Sequence, residues 1–390
     1  MDKMDKQIYL DSAATTKPSG EVVEFLSETL PDLYANPDSM HTLGLKAEKQ
    51  TERSRAVIAC ALKAKSEEII FTSSGTEANN LALFGAANSQ KRKGNKIILT
   101  DAEHLSVYSP ALELEKRGFE ISFLSSKNGE IDMDELKNRL DAQVILISAM
   151  LVNNETGSVF DIAAILKTVE NSGFTPYIHC DAAQAFGKIP IDLDRLKVDM
   201  MSLSAHKIHG IKGCGALFLR KGKRIAPQIF GGEQENGLRS STLNTPGIFA
   251  FGKAAEEAFK NFDKNNRYID ALYDHTAARI KEKCPEVIFN QRQNSKNISK
   301  YIMSLRLPGI KSEVMTNYLS MHNIYISSGS ACSEKRRGQK SPGRVLLNYG
   351  LDKNSADCSV RVSFSKYNTQ QEADEFAEVL AEAINRFKGV

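Results

Sequence analysis

The chain has 390 residues, more than one domain usually contains, and its length predicts two domains. Hydrophobic residues make up 41% and charged residues 25%, and the net charge of +3 gives no reason to expect nucleic acid or a membrane surface as a partner. The first residues, MDKMDKQIYLD, lack the apolar segment of a signal peptide, and no apolar run approaches the roughly 20 residues of a membrane span. We therefore expect a cytoplasmic protein.

Short β-rich runs alternate with helical segments from about residue 68 to residue 219. This alternation is typical of an α/β fold, in which helices cover both faces of a mostly parallel sheet. The predicted strands are EEIIF (67–71), KIILT (96–100), FEISFL (119–124), VILISA (144–149), YIHC (177–180) and MMSLS (200–204).

The pattern changes after a glycine-rich segment at 231–247. Long helices are predicted over about 247–284, followed by strands and helices in a different order, which indicates a smaller α+β domain. The last helix is predicted from a capping box, Thr369 with Glu372, and from an apolar face. That face consists of Phe376, Leu380, Ala383, Ile384 and Phe387. We predict a large domain at 16–256 and a small domain formed by 1–15 with 257–390.

Lys207 is the first candidate for chemistry, because it stands just beyond the MMSLS strand. Open α/β sheets bind ligands beyond the carboxyl ends of their strands. A lysine among apolar groups can act as a nucleophile and form a Schiff base with an aldehyde. The alternative is a lysine that only marks a turn.

Asp181 and His104 also follow predicted strands. A carboxylate at the end of an apolar strand needs a positive partner, such as a protonated pyridine nitrogen, unless it is a helix N-cap. Gln184 follows three residues later. His104 could stack on a flat cofactor or shuttle protons, or it could be a loop histidine bonded to the backbone.

Two further strand ends carry small polar residues. Gly75 and Thr76 lead into a helix and could hold a phosphate, or could belong to an ordinary N-cap. Asn153 and Asn154 could donate to a ring oxygen or form an Asx-turn. A phosphate cradle, a ring stacker, a carboxylate and a lysine at neighbouring strand ends together match the requirements of pyridoxal 5′-phosphate.

Cys332 lies in the segment SSGSACSEKRR, where five small residues precede it and Lys335, Arg336 and Arg337 follow closely. Nearby cations favour the thiolate that a nucleophilic cysteine requires. The alternative is an inert cysteine in a flexible turn, and the basic run at 334–344 is predicted to be an exposed, mobile loop.

The other cysteines form no CxxC or Cys/His ligand spacing, so neither a disulfide framework nor a zinc site is predicted. Cys60, Cys180 and Cys358 lie in helix or strand patterns and are predicted to be core residues, whereas the role of Cys214 stays open. Arg361 interrupts the strand CSVRVSF. Alternation would place it on the open face of a sheet, but in a cleft it could bind a carboxylate.

These motifs resemble, in this order, those of the cysteine desulfurases, which are pyridoxal-phosphate enzymes of the class V aminotransferase fold group. The resemblance runs essentially from end to end. The form SSGSACS is similar to the long-loop group, which donates sulfur to iron–sulfur scaffolds and tRNA-thiolating enzymes. The matching motifs are YLDSAATT (9–16), ANP (35–37), FTSSGTEANN (71–80), EH (103–104), VNNETG (152–157), HCDAAQ (179–184), SAHKIHGIKGCGAL (204–217), LRSSTLNT (238–245), SSGSACS (327–333) and VRVSFS (360–365).

The resemblance implies an aspartate aminotransferase-like fold, whose large domain binds pyridoxal phosphate and whose small domain carries the cysteine loop. It implies that Lys207 forms the Schiff base and moves the α proton, while Asp181 pairs with the pyridine nitrogen. His104 would stack on the ring, and Gln184 and Asn154 would contact the ring and its hydroxyl.

The resemblance also implies how the cofactor phosphate and the substrate are bound. Asn36 and Arg361 would bind the substrate carboxylate. The phosphate would be held by Gly75, Thr76, Ser204 and His206, joined by Thr242 from the other subunit of a homodimer.

The implied reaction converts L-cysteine to L-alanine and leaves the sulfur on Cys332 as a persulfide for an acceptor, either an iron–sulfur scaffold or a tRNA-thiolation enzyme. No metal site is predicted, although Cys332 could ligate an iron–sulfur cluster transiently. We expect no nucleic-acid or membrane partner.

The sequence departs from the family pattern in a few places. The loop between Cys332 and Pro342 is longer and more basic than expected, Ile211 replaces a usual proline and Asn236 replaces a usual arginine. The chain ends at Val390 without the tail that some relatives use to dock a scaffold, which leaves the acceptor open. Three alternatives are another pyridoxal-phosphate enzyme such as an aminotransferase or selenocysteine lyase, a non-catalytic sulfur-handling protein, and RNA binding through EKRRGQK.

Overall fold

The computed structural model describes residues 7–291, 297–329 and 343–387. Within them the helices are α1 (Gly20–Thr29), α2 (Thr42–Leu62), α3 (Gly75–Gln90), α4 (Leu105–Lys116), α5 (Met133–Arg139), α6 (Ile162–Ser172), α7 (Thr245–Lys260), α8 (Phe262–Lys283), α9 (Ser312–Met321), α10 (Arg344–Tyr349), α11 (Lys353–Asp357) and α12 (Gln370–Phe387). The strands are β1 (Ile8–Tyr9), β2 (Ile69–Thr72), β3 (Lys96–Thr100), β4 (Glu120–Leu124), β5 (Val144–Ser148), β6 (Tyr177–Asp181), β7 (Met200–Ser204), β8 (Gly215–Leu219), β9 (Ile288–Phe289), β10 (Ile302–Arg306), β11 (Ile324–Tyr325), β12 (Ser327–Ser328) and β13 (Ser359–Ser363).

The largest sheet in the described chain has seven strands in the order β2-β8-β7-β6-β5-β3-β4. β8 runs antiparallel to β2 and β7, and the other neighbouring pairs are parallel. Every predicted strand run in this half of the chain is found, with small shifts at the ends. The prediction of an α/β fold with a mostly parallel sheet is therefore confirmed.

Apolar residues fill both faces of this sheet, because helices cover both sides. Ile97 and Leu99 belong to one buried cluster, which includes residues of α3 and α4. Ile98, between them, belongs to the cluster on the opposite face, with residues of α2, α6 and α7. This alternation follows from the two-residue period of a strand, and it leaves the strand ends as the accessible part of the sheet.

A second sheet, β12-β13-β10-β9, is antiparallel and shares an apolar cluster with α8 and α12. α12 begins with the predicted capping box: the Thr369 hydroxyl accepts from the Glu372 N–H at 3.2 Å, and the Glu372 carboxylate accepts from the Thr369 N–H at 3.0 Å. The predicted apolar face of this helix is buried, with Phe387 partly buried.

β1 pairs in parallel with β11, so the first described strand packs with this second unit. The chain then crosses to the large sheet, where the Thr16 N–H donates to the His206 carbonyl at 2.9 Å. The division into 16–256 and 1–15 with 257–390 remains a prediction.

Cys180 and Cys358 are buried as predicted, and Cys214 is buried as well. The prediction for Cys60 is wrong, because this side chain is exposed on α2. Ile58, Ala59 and Leu62 form the buried face of that helix, and the rotation of 100° per residue turns Cys60 away from it. In the described part of the chain no helix is long and apolar enough to cross a membrane.

Candidate active site

The carboxyl ends of the central strands open into a cavity of about 270 Å³. Most of the residues predicted from the sequence meet there, because parallel strands bring their ends to one edge. The predicted residues that line the cavity are Gly75, Thr76, His104, Asn154, Asp181, Gln184, Ser204, His206, Lys207 and Arg361.

Lys207 lies at the end of a single 3₁₀ turn, Ala205–Lys207, that follows β7 directly. Its Nζ donates hydrogen bonds to the carbonyl oxygens of Ala13 at 2.6 Å and Ala14 at 2.8 Å. These carbonyls belong to the segment that follows β1, so the amine links this segment to the end of β7. The side chain thus reaches into the cavity and does more than mark a turn.

Asp181, at the end of β6, is only 5% exposed, and both of its oxygens accept hydrogen bonds. Oδ1 accepts from the Ala183 N–H at 2.9 Å, and Oδ2 accepts from Asn79 Nδ2 at 2.8 Å. Such an arrangement suits an ionised carboxylate that faces a cationic ligand. The alternative that Asp181 is a helix N-cap is wrong, because no helix begins directly after β6 in this described part of the chain and the Ala183 contact closes only a local turn.

Asn79 and Ser106 connect Asp181 with His104. Asn79 Nδ2 donates its second hydrogen to Ser106 Oγ at 2.8 Å, which leaves the Ser106 hydroxyl to donate to His104 Nδ1 at 2.7 Å. The Ser106 N–H also donates to this nitrogen at 3.1 Å, so the imidazole caps α4. Because Nδ1 accepts, the network places the imidazole proton on Nε2.

The charge state of His104 agrees with this tautomer. Burial lowers the pKa of His104 below its usual value, although the nearby Asp181 carboxylate opposes the shift. Lys207 lowers it further. The ring is therefore neutral at physiological pH, and it lines the cavity.

The first turn of α3 forms one end of the cavity with residues that follow β7. Ser74 caps the helix by accepting from the Glu77 N–H at 3.1 Å. A Cβ atom added at Gly75 would lie 3.3 Å from Ser204 Cβ, so the glycine allows the helix start to approach β7 closely. Helix N-termini with a nearby hydroxyl are common anion sites. Burial lowers the pKa of His206, beside them, to about 4.

Asn153 and Asn154, for which the sequence predicted the same two alternative roles, have different roles in the structure. Asn153 Oδ1 accepts from the backbone of Glu155 at 2.9 Å and Thr156 at 2.8 Å, which is an Asx-turn. Asn154 lines the cavity.

Arg361 does not lie on an open sheet face, so the alternation-based expectation is wrong. The side chain is 3% exposed and points from β13 towards the cavity. Its guanidinium donates to the Asn154 carbonyl at 3.0 Å, to Asp11 Oδ1 at 2.8 Å and to Ser327 Oγ at 3.0 Å. Packing of the two units against each other buries the face that the strand pattern alone would leave to solvent.

Three predicted site residues are not brought to the cavity in this chain. Asn36 is exposed, and its Oδ1 accepts from the Asp38 N–H at 3.0 Å. Thr242 is exposed, and its predicted role lies in the other subunit. Cys332 lies outside the described residues, as does the run 330–342.

Sequence reasoning missed Asn79 and Ser106 as members of the site. The signal for Asn79 was its position three residues after Thr76, which places both on one face of α3. The prediction that Arg344 belongs to an exposed loop is wrong. Arg344 is the first residue of α10. Its guanidinium stacks 4.1 Å from the centre of the Tyr108 ring and donates to the carbonyls of Asp101 and Glu103.

The cavity contains buried polar atoms that find no partner among the described residues: Ser204 Oγ, Asn154 Oδ1 and Arg361 Nε. Buried polar groups without partners are costly, and here they converge on one space with a lysine amine, a carboxylate and a helix N-terminus. A flat ring carrying a phosphate, an aldehyde and a basic nitrogen would use each of these groups. The residues therefore fit pyridoxal 5′-phosphate.

Comparisons with known proteins agree with this fit. The family model for class V aminotransferases matches residues 8–376. The cysteine desulfurase IscS of Dictyoglomus turgidum is 37% identical over 388 residues, which cover 99% of this chain and 97% of that protein.

Two solved structures share the fold. A NifS-like protein superposes with a TM-score of 0.91 at 31% identity, covering 98% of this chain and 100% of the other. SspA in complex with cysteine gives a TM-score of 0.77 at 31% identity, covering 93% and 100%. The chain therefore belongs to the class V aminotransferase family, among its pyridoxal 5′-phosphate-dependent cysteine desulfurases.

Proposed function

We propose that this protein moves the sulfur of L-cysteine onto Cys332 and releases L-alanine. The observation that carries the proposal is the meeting of Lys207, Asp181 and His104 around one cavity that also contains a helix N-terminus and a buried arginine. Membership of the cysteine desulfurases supports the choice of substrate.

Pyridoxal phosphate, when bound, supplies an aldehyde for the substrate amine and an electron-withdrawing ring. Lys207, held by two carbonyl oxygens, is the residue that would release the cofactor aldehyde and then take the substrate α proton. The Asp181 carboxylate would keep the ring nitrogen protonated, and neutral His104 would cover the ring face. Arg361 would bind the substrate carboxylate.

The sulfur step is assigned to the Cys332 thiolate. An electron pair of its sulfur forms the new S–S bond, the C–S bond of the substrate breaks, and the pair from that bond stays with the substrate carbon. Protonation of that carbon then gives alanine, so L-cysteine and the Cys332 thiol become L-alanine and the Cys332 persulfide. The support for Cys332 is its sequence context, SSGSACS followed by a basic run.

The test uses the purified protein with pyridoxal phosphate, L-cysteine and a thiol reductant. The wild type should be yellow and release sulfide, and Cys332→Ala should keep the colour and lose sulfide release. Cys60→Ala is a matched control, since it removes an exposed thiol that does not line the cavity. A colourless protein that stays so after addition of the cofactor would contradict the whole proposal.

The second candidate is a selenocysteine lyase or another enzyme of the same fold, for which the cysteine would be less essential. The same experiment separates the two, because undiminished sulfide release by Cys332→Ala would favour the lyase. The long-loop sequence around Cys332 favours the desulfurase.

We also propose a homodimer in which Thr242 completes the phosphate site of the partner subunit. Asp38 and Gln234 join two exposed segments through a 2.8 Å hydrogen bond. These segments carry Met40, 95% exposed, and Phe230, 81% exposed. Large apolar side chains at this level of exposure suit an interface better than a solvated surface.

The acceptor of the persulfide is proposed to be an iron–sulfur scaffold or a tRNA-thiolation enzyme in the cytoplasm. Incubation with radiolabelled cysteine and each candidate acceptor would identify the protein that takes up the label. Labelling of neither class would contradict this assignment.

A further inference from the structure

A buried lysine that the proposed reaction does not use lies beneath the cavity. Lys188 is 7% exposed, and its Nζ donates a hydrogen bond to Gln184 Oε1 at 3.0 Å. Lys188 and Lys207 also line a second, much smaller cavity of about 30 Å³. Burial, with the nearby charges of Lys207 and Arg361, lowers the pKa of Lys188 to about 7. Burying an amine is costly, so its position calls for a compensating role.

The contact with Lys188 fixes the orientation of the Gln184 amide. Gln184 Nε2 donates to the Ala13 carbonyl at 2.8 Å, and the same oxygen accepts from Lys207 Nζ at 2.6 Å. A rotation of the amide by 180° would bring its NH₂ against the Lys188 donors and its oxygen against the Ala13 oxygen. Both new contacts would be repulsive, so only one orientation is compatible with the surroundings.

We propose that Lys188 is a positioning residue that holds Gln184 as a hydrogen-bond donor towards the ring oxygen of bound pyridoxal phosphate. The inference rests on the proposed function, in which Gln184 contacts the ring. Nε2 carries a second hydrogen beyond the one given to Ala13, and Gln184 lines the large cavity. A ring oxygen with negative charge requires a donor, whereas a rotated amide would present an acceptor and repel it.

The decisive variant is Lys188→Met, which keeps an unbranched side chain of similar size, one atom shorter, but removes its N–H groups. We expect the dissociation constant for pyridoxal phosphate to rise about 5- to 20-fold. We also expect the midpoint of the pH-dependent colour change of the loaded protein to move upward by about half to one pH unit. Loss of a donor to the ring oxygen and loss of a nearby positive charge both favour the protonated chromophore. Lys188→Arg, which retains a donor, should restore both quantities at least in part.

Lys366→Met is the matched control, because Lys366 lines the same small cavity without a hydrogen bond to Gln184. Equal shifts in both variants would overturn the inference and indicate a general charge effect. In a Gln184→Ala background, Lys188→Met should produce no further loss of cofactor affinity, because the residue acts through Gln184. Additive losses would likewise overturn it.

Thermal unfolding of the cofactor-free proteins checks that Lys188→Met still folds. If it does not, Gln184→Glu gives a second test, since a carboxylate keeps the contact to Lys188 but has no N–H for the ring. Unchanged cofactor affinity in Gln184→Glu would overturn the inference. A wild-type protein that binds no pyridoxal phosphate would contradict the proposed function, whereas normal binding by both wild type and Lys188→Met would contradict this inference alone.

Discussion

At the scale of single residues, the site depends on side chains that set the state of their neighbours. The Ser106 hydroxyl donates to His104 Nδ1, and Asn79 fixes the direction of that hydroxyl while also holding Asp181. A donor to Nδ1 stabilises the neutral imidazole, because a protonated ring could no longer accept there.

Ser106→Ala should therefore raise the pKa of His104. If neutral His104 is required for activity, the acid side of the pH profile of sulfide release should move upward by about half a pH unit. Ser89→Ala, on the same side of the sheet but away from the cavity, is the control. An acid limb identical to that of the wild type would show that the hydroxyl does not govern His104.

Glu103 is a second residue whose pKa is shifted by its surroundings. It is fully buried, accepts from the Thr100 hydroxyl at 2.6 Å and from the Met150 N–H at 2.8 Å, and has an Oε2 atom without a partner in the described chain. Burial is the largest cause that raises the pKa of Glu103 to about 8, and Asp181 contributes in the same direction. The folded protein therefore keeps this carboxyl protonated at pH 7.

The folded state binds this proton more tightly than the unfolded state, so the contribution of Glu103 to stability is present at pH 4 and is lost as the pH rises towards 8. The amide of Glu103→Gln cannot ionise, so this variant should not lose stability in this way as the pH rises. We expect a melting temperature about 2–4 °C above that of the wild type at pH 9 and little difference near pH 5. Glu67→Gln, at an exposed ion pair with Lys221, should give no such increase at pH 9. If the melting temperatures of Glu103→Gln and the wild type changed in parallel with pH, the result would contradict the raised pKa of Glu103.

At the scale of elements, α3 and β7 meet where the cofactor phosphate is expected. Gly75→Ala places a Cβ atom 3.3 Å from Ser204 Cβ, so the helix start or the serine must move by a few tenths of an ångström. We expect about a tenfold loss in affinity for pyridoxal phosphate, measured by fluorescence titration, because the anion site depends on this spacing.

Gly20→Ala is a matched control, because Gly20 is also the first residue of a helix and an added Cβ would meet nothing within 4 Å. This variant should leave cofactor affinity unchanged. Equal losses in both variants, or none in Gly75→Ala, would contradict the assignment of the phosphate site.

The sequence was informative about elements and less so about contacts between them. Buried parallel strands are continuous apolar runs, so β3, β5, β6 and β7 and the polar residues at their ends could be predicted. The side of the sheet on which Arg361 lies could not, because it depends on packing between two units. Asn79, Ser106 and Lys188 were missed for a related reason, since their partners belong to other elements.

At the scale of the whole molecule, the proposed dimer requires each site to be assembled from two chains. Lys207→Ala and Thr242→Ala should each lower activity as pure proteins. When equal amounts of the two variants are unfolded and refolded together, half of the dimers should contain one chain of each kind. Each such dimer has one intact site, so the mixture should recover about a quarter of wild-type activity. No recovery above the sum of the two variants, or an active particle with the single-chain mass of 43.1 kDa, would contradict the shared site.

The N-terminal segment has a consequence for the order in which the protein is made. β1 pairs with β11, and the Ala13 N–H donates to the Ser363 hydroxyl, 350 positions later. The carbonyls that hold Lys207 are therefore synthesised long before the strand that supports their segment, because β13 follows about 350 positions later. This wall of the cavity can form only after β11 and β13 have been synthesised, so we expect a nascent chain that stops before β13 to bind the cofactor poorly.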